Sequence, residues 1–167
     1  MSTTETTPIA KKAFDVRDPY YIDRVKSSFA RQGFLRHCGV RLEDVGPGRC
    51  IVAAEFSENV AQQHGYFHGG FIGSLADAAG AIAAATLMEP TQSLLTVEYK
   101  INLLAPARDP TLQAVGEVVR PGRTLSVSQV NLFNIDGASE PVLCALATVT
   151  VITLTSRGDS KQPAIRQ

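Results

Sequence analysis

HGGFIGSLADAAGAIAAATLM, residues 68–88, decides the fold. Its residues are glycine, alanine and larger apolar types apart from His68, Ser74, Asp77 and Thr86, and no proline interrupts them. The run predicts one helix with no polar face, and a helix apolar all round is buried inside a protein. Asp77 is the only carboxylate between Asn59 and Met88. A carboxylate in apolar surroundings carries a desolvation cost unless it is paired, hydrogen-bonded or kept for chemistry. The stretch from Phe71 to Met88 is barely long enough to cross a bilayer. It is mostly alanine and glycine, carries a central acid and lacks basic flanks, so no membrane span is expected.

Outward from this helix the periodicity changes. Upstream, Asp18-Pro19 suits a helix start, and Ile22, Val25 and Phe29 follow at helical spacing, giving an amphipathic helix over about residues 19–31. Residues 40–45 and 50–56, around Gly46-Pro47-Gly48, form a strand hairpin, and residues 57–67 a polar loop. Downstream, Leu95, Val97, Tyr99, Ile101 and Leu103 alternate with polar residues, the mark of a strand. Leu112, Ala114 and Val118 mark the next strand, closed by Pro121-Gly122. Leu125 and Val127 then shift phase to Val130 and Leu132, which suggests a bulge near Ser128. Asp136-Gly137 precedes a last strand over residues 142–154. Four strands in sequence predict an antiparallel meander, and a lone apolar helix needs a sheet that curves around it. The expected organisation is a tail over 1–17, a single α+β domain over 18–155, and a polar tail over 156–167.

Sixteen basic and sixteen acidic side chains balance, so no basic stripe invites nucleic acid. Cys38, Cys50 and Cys144 are odd in number and match no CxxC pattern. They are expected to be buried reduced thiols of a cytoplasmic protein. The first thirteen residues lack the apolar core of a signal peptide. Ser74 lies in Gly-Ser-Leu, not GxSxG, and the glycines at 65, 69, 70 and 73 fit neither a dinucleotide fingerprint nor a P-loop. His64 and His68 are four apart, but Gly65 stands where a zinc protease needs its glutamate. No metal, flavin or nicotinamide is called for.

Gln62, Gly65, His68, Gly69, Gly70 and Asp77 remain. Amides at a helix start have no intrahelical acceptor and sit at the positive end of the dipole, which suits a developing oxyanion. Equally, a glycine pair eases a tight loop-to-helix turn, and a buried acid can simply bond to backbone or arginine.

Gln62-x-x-Gly65-x-x-His68-Gly69-Gly70 followed by Leu75-Ala76-Asp77 resembles the signature of hotdog-fold acyl-CoA thioesterases, in the PaaI-like (phenylacetic acid degradation-related) branch of the 4HBT superfamily. The likeness extends from about Phe34 to Thr153 and includes the strand from Thr96 to Pro106 and the turn Arg120-Pro-Gly-Arg123. It implies a long central helix wrapped by a curved antiparallel sheet, here with an extra N-terminal helix. It also implies a homodimer or a dimer of dimers acting on acyl-CoA, with coenzyme A part of the substrate and no separate cofactor. Asp77 would activate water or attack the thioester carbonyl, and the Gly69 amide, with Gly70, would polarise that carbonyl from the neighbouring subunit. Gln62 stands where many relatives carry Asn, and Thr96 where a Ser or Thr orients water. His68 completes the candidate catalytic set, and Phe71 joins Gly70 in binding substrate. Arg120 and Arg123 mark a turn that often meets CoA phosphates, though two solvated arginines at a hairpin fit as well. Two rivals share the scaffold: a hydratase using an Asp–His pair, and an acyl-CoA-binding protein without catalysis. The acyl group stays open, with Phe67, Phe71, Leu87 and Tyr99 able to select it.

Overall fold

The computed structural model of the protein describes residues 14–108 and 110–155. Two short helices come first, α1 (Tyr21–Ala30) and α2 (Gly33–His37). The hairpin follows as β1 (Arg41–Gly46) and β2 (Arg49–Glu55), then α3 (Gly69–Ala85) and four strands: β3 (Gln92–Leu103), β4 (Thr111–Arg120), β5 (Leu125–Ile135) and β6 (Val142–Thr155). The strands form one antiparallel sheet in the order β1-β2-β4-β5-β6-β3, and α3 packs against β2 through β6. This is the helix-in-a-curved-sheet architecture of the hotdog fold.

The expected four-strand meander is corrected to three. β4, β5 and β6 are consecutive neighbours, but β3 pairs with β6 at the far edge. The reason lies in residues 104–110, a segment with two prolines, too long for a tight hairpin. The amides of Leu104 and Ala105 donate to the Cys144 carbonyl, that of Phe67 to Ala107 and that of Phe56 to Pro110. The segment thus crosses from the β3 edge to the β2 side past the start of α3.

The bulge expected near Ser128 falls directly opposite it, in β4. Ser126, Ser128, Val130, Leu132 and Asn134 all face inward without a break, and the register shift falls in β4 between Val118 and Arg120. What changes phase in β5 is chemistry, not backbone. Ser128 lies inside because its hydroxyl donates to the Gly80 carbonyl of α3 at 2.9 Å, which satisfies the buried group.

α3 begins at Gly69 with His68 as its cap, and it ends at Ala85, three residues short of the expectation. Beyond it, the Thr86 hydroxyl donates to Ala83 and accepts the Gly48 amide, both at 2.7 Å, tying the β1–β2 turn to the helix end. α1 starts two residues after Pro19. The Asp18 carboxylate accepts from the Tyr20 amide and pairs with Arg24, whose guanidinium also donates to the carbonyls of Ala85 and Met88. Of the expected N-terminal tail, Phe14 packs against the core and crowds Gly48, so residues 14–17 travel with the folded unit. Residues 1–13 and the tail at 156–167 lie outside the described residues. All three cysteines are free and buried, and burial, aided by Asp44, pushes the Cys50 thiol up to about 12. Among the described residues no helix is long and apolar enough to cross a membrane.

Candidate active site

α3 is not closed on every side. Phe71, Ile72, Leu75, Ala76, Ala79, Ile82 and Ala83 are buried, while Gly70, Ser74, Asp77, Ala81 and Ala85 form a stripe open to solvent in the protomer. Their spacing of four, three, four and four keeps them on one helix face. Asp77 is the only acid on it. Each of the other four is small, so the stripe lies low between its neighbours and makes a groove.

Across that groove stands β3. Thr96 donates its hydroxyl to Asp77 Oδ1 at 2.7 Å, leaving Oδ2 free toward the groove. The β3–β6 register shifts between Thr96 and Glu98, so Val97 is an extra residue beside the Thr96–Asp77 contact. Gln32, Phe34, Ser74, Leu94 and Leu95 complete a hollow of about 310 Å³ around the carboxylate. Ser74 was readable as a neighbour, three residues before Asp77. Gln32 and Phe34 carried no signal, because they reach the site only through the α1–α2 packing.

A second hollow, of about 510 Å³, gathers Gln62, Gly69, Tyr66 and residues 103–107. His68 Nδ1 accepts the Gly70 amide at 2.9 Å, and the His68 carbonyl accepts from Phe71 and Ile72. The histidine therefore caps the helix through Nδ1. The Gly70 amide is engaged, whereas the Gly69 amide has no acceptor among the described residues. Gln62 Oε1 accepts from the His64 amide at 2.5 Å, which leaves the Gln62 NH₂ group available as a donor. Two N–H donors thus share this hollow.

The sequence candidates separate into places. Asp77 and Thr96 are together, as are Gln62 and Gly69. Between Gly69 and Asp77 the helix rises about 12 Å, so one carbonyl cannot meet both within a protomer. His68 and Asp77 are farther apart still, and the Asp–His pair a hydratase would need is not made within the protomer. Phe71 turns into the core and stacks on Phe67, ring centroids 5.8 Å apart, so it borders neither hollow. Arg123 lines a third hollow with Arg17, Leu87 and Gln92, and Arg120 ends β4 nearby, both exposed. Tyr99 lies over α3 at Gly73, one turn before Asp77. No cluster of three metal-ligating side chains occurs among the described residues.

Comparison with known proteins agrees with this geometry. The family model described as the thioesterase superfamily matches residues 64–140, which include Gly69, Asp77 and Thr96 but not Gln62. A 1,4-dihydroxy-2-naphthoyl-CoA hydrolase of Listeria monocytogenes is 30% identical over 112 residues, 67% of this chain and 89% of that protein. The crystal structure of a thioesterase family protein from Silicibacter pomeroyi superposes with a TM-score of 0.78 at 36% identity, over 81% of this chain and 98% of that one. The PaaI protein of the E. coli phenylacetic acid degradation operon shares the fold, with a TM-score of 0.70 at 19% identity over 82% of this chain and 95% of that one. The chain belongs to the thioesterase superfamily. Within that class it is an enzyme, a thioester hydrolase.

Proposed function

We propose that the protein hydrolyses acyl-CoA thioesters to free acid and CoA at a site shared by two copies of the chain. One observation carries this: an open-groove carboxylate held by Thr96 lies about 12 Å along α3 from an amide without an acceptor, too far for one protomer to use both on one carbonyl. A second copy resolves the distance by bringing its Gln62 and Gly69 donors to the first copy's Asp77. β3 is suited to make that contact. It is a twelve-residue edge strand, and Leu95, Val97 and Leu103 are each more than half exposed. Pairing two such edges extends the sheet and covers the apolar row.

In this reading the Gly69 N–H and the Gln62 NH₂ polarise the thioester carbonyl and hold the oxyanion as it forms. Asp77 Oδ2 takes a proton from water as the water oxygen attacks the carbonyl carbon, or Oδ2 attacks directly and the mixed anhydride left after thiolate departure is hydrolysed by water, which regenerates the carboxylate. The C–S bond then breaks, and the CoA thiolate leaves and is protonated. A thioester is already activated, so a base, oxyanion donors and limited water access provide the catalysis without further groups. Arg120 and Arg123 lie beyond the C-terminal end of α3, around the hollow of Arg17, Leu87 and Gln92, and are given no substrate contact in this reading. The likeness to a 1,4-dihydroxy-2-naphthoyl-CoA hydrolase favours hydrolysis over hydration, and a non-catalytic binder has no use for the carboxylate at the groove. The three buried free thiols support cytoplasmic residence.

Mixing two inactive variants tests the shared site. Asp77→Asn and Gly69→Val homodimers are each expected to be inactive. Their hybrid contains one site with Asp77 and Gly69 both intact, so subunit exchange should restore acyl-CoA hydrolysis. Hybrids that form but stay inactive place acid and amide in the same chain and overturn the arrangement.

A further inference from the structure

The groove at Asp77 does not stop at the carboxylate. A fourth hollow, of about 280 Å³, continues it along α3, sharing Gln32, Ala81, Ile82 and Leu94 as lining. The floor is the open stripe of α3, where Ala81 and Ala85 stand clear. Val25 and Phe29 of α1 form one wall, and Leu94 at the start of β3 forms the other. The far end is blocked by Arg24. Its Nε is bonded to Asp18 at 2.7 Å, and its Nη2 to the carbonyls of Ala85 and Met88. These bonds hold the guanidinium in place as a stopper. A slot with a carboxylate at one end, an arginine at the other, and Val25, Phe29, Ile82 and Leu94 along it among Ser28, Gln32, Gln92 and Ser93 has the shape of an alkyl chain. Its two hollows are of small-molecule size, whereas a helix about 10 Å across does not fit.

Building on the thioesterase activity proposed above, we propose that the substrate's acyl chain lies lengthwise between α1 and α3, from Asp77 to Ala85, making an unbranched medium-chain acyl-CoA the preferred substrate. Eight residues of helix span about 12 Å, which an extended chain of roughly eight to ten carbons fills. Each methylene added up to that length is buried against Val25, Phe29 or Leu94 and should raise kcat/KM about two- to fourfold. Beyond it the chain meets Arg24. α1 thus acts as a specificity wall for the reaction.

The test is a kcat/KM profile of the full chain over acetyl-, butyryl-, octanoyl-, decanoyl-, palmitoyl- and phenylacetyl-CoA. Octanoyl- or decanoyl-CoA should be best, with palmitoyl-CoA lower. Ala81→Phe, which fills the groove midway, should lower the decanoyl-to-butyryl ratio at least tenfold. Phe29→Ala, a change on the wall that spares α3, should lower the decanoyl-to-butyryl ratio by removing surface that the chain is buried against. A wild-type profile that is highest for acetyl-, butyryl- or phenylacetyl-CoA overturns the acyl slot while leaving the thioesterase standing. A decanoyl-to-butyryl ratio unmoved by both variants does the same, and an altered oligomer in Ala81→Phe with that ratio unmoved assigns the groove to a subunit contact instead. Failure to hydrolyse any acyl-CoA overturns the slot and the enzymatic reading together.

Discussion

The two flanks of α3 use small residues for opposite purposes. On the closed flank they bring backbones together. A Cβ placed on Gly116 of β4 would lie 2.5 Å from the Ala79 carbonyl oxygen, and one on Gly80 would lie 2.8 Å from Val149. Ala79 and Ala83 are fully buried there. On the open flank, a Cβ on Gly69 would meet only Leu103, at 3.6 Å, and Ala81 and Ala85 border an empty groove. An alanine-rich helix therefore need not be buried on all sides. Small side chains permit close packing where a sheet covers them and leave a cleft where nothing does. The acid sits on the cleft side, where burial is partial and Thr96 supplies its hydrogen bond.

The largest expected effect tests the open flank. Asp77→Asn retains the size and removes the charge, so acyl-CoA hydrolysis should fall by about a thousandfold while the melting temperature holds. Steady-state assays with calorimetry check this, and near-normal turnover in the Asn variant removes the carboxylate from the chemistry. Next comes Gly69→Val. The first added carbon makes ordinary contact with Leu103, so the fold should survive, but the side chain stands where a thioester must approach the amide. kcat should drop about a hundredfold with little change in stability. A variant that instead melts early while keeping its kcat makes the glycine a turn device only.

Gly116→Ala tests the closed flank. Its added methyl meets backbone atoms that have no rotamer to escape into, so the helix and β4 must separate. The expected cost is about 3 kcal/mol of folding stability, with kcat per folded molecule nearly unchanged. Denaturant titration measures it. A loss below about 1 kcal/mol would mean that the close approach is not holding the helix to the sheet.

The helix, its position inside the sheet and the strand count were legible in the sequence, because period-two and all-apolar patterns report directly on burial. Strand order was not. Alternation in β3 looks the same whether its neighbour is β4 or β6, and the crossover is set by the hydrogen bonds of residues 104–107 to Cys144 and Phe67. Likewise, spacing marked Asp77, Gly69 and Gln62, but not that they fall in two hollows. Nor could it show that Gly70 is capped by His68 or that Phe71 faces the core. Those facts depend on side-chain direction at a helix start. The groove walls from α1 depend on tertiary packing that leaves no local trace.

The smallest effect concerns the end of the open flank, where Asp18 holds Arg24 against the C-terminus of α3. The Arg24 side-chain hydrogen bond, with help from the Tyr20 amide, keeps the Asp18 carboxyl below its ordinary value of 3.8 despite burial. A carboxyl whose folded pKa is depressed binds its proton more readily when unfolded. Its stabilisation is therefore complete above the unfolded value near 4 and fades as pH falls through the lower folded value. Asp18→Asn should cost about 2 kcal/mol at neutral pH by removing a charge-assisted bond from a nearly buried guanidinium. Below about pH 4 the gap between variant and wild type should narrow as Asp18 takes up its proton. Urea melts at pH 7 and pH 3 measure both gaps. An equal difference at the two pH values would show that the pair stabilises through packing rather than charge, and that Arg24 closes the groove without Asp18's ionisation.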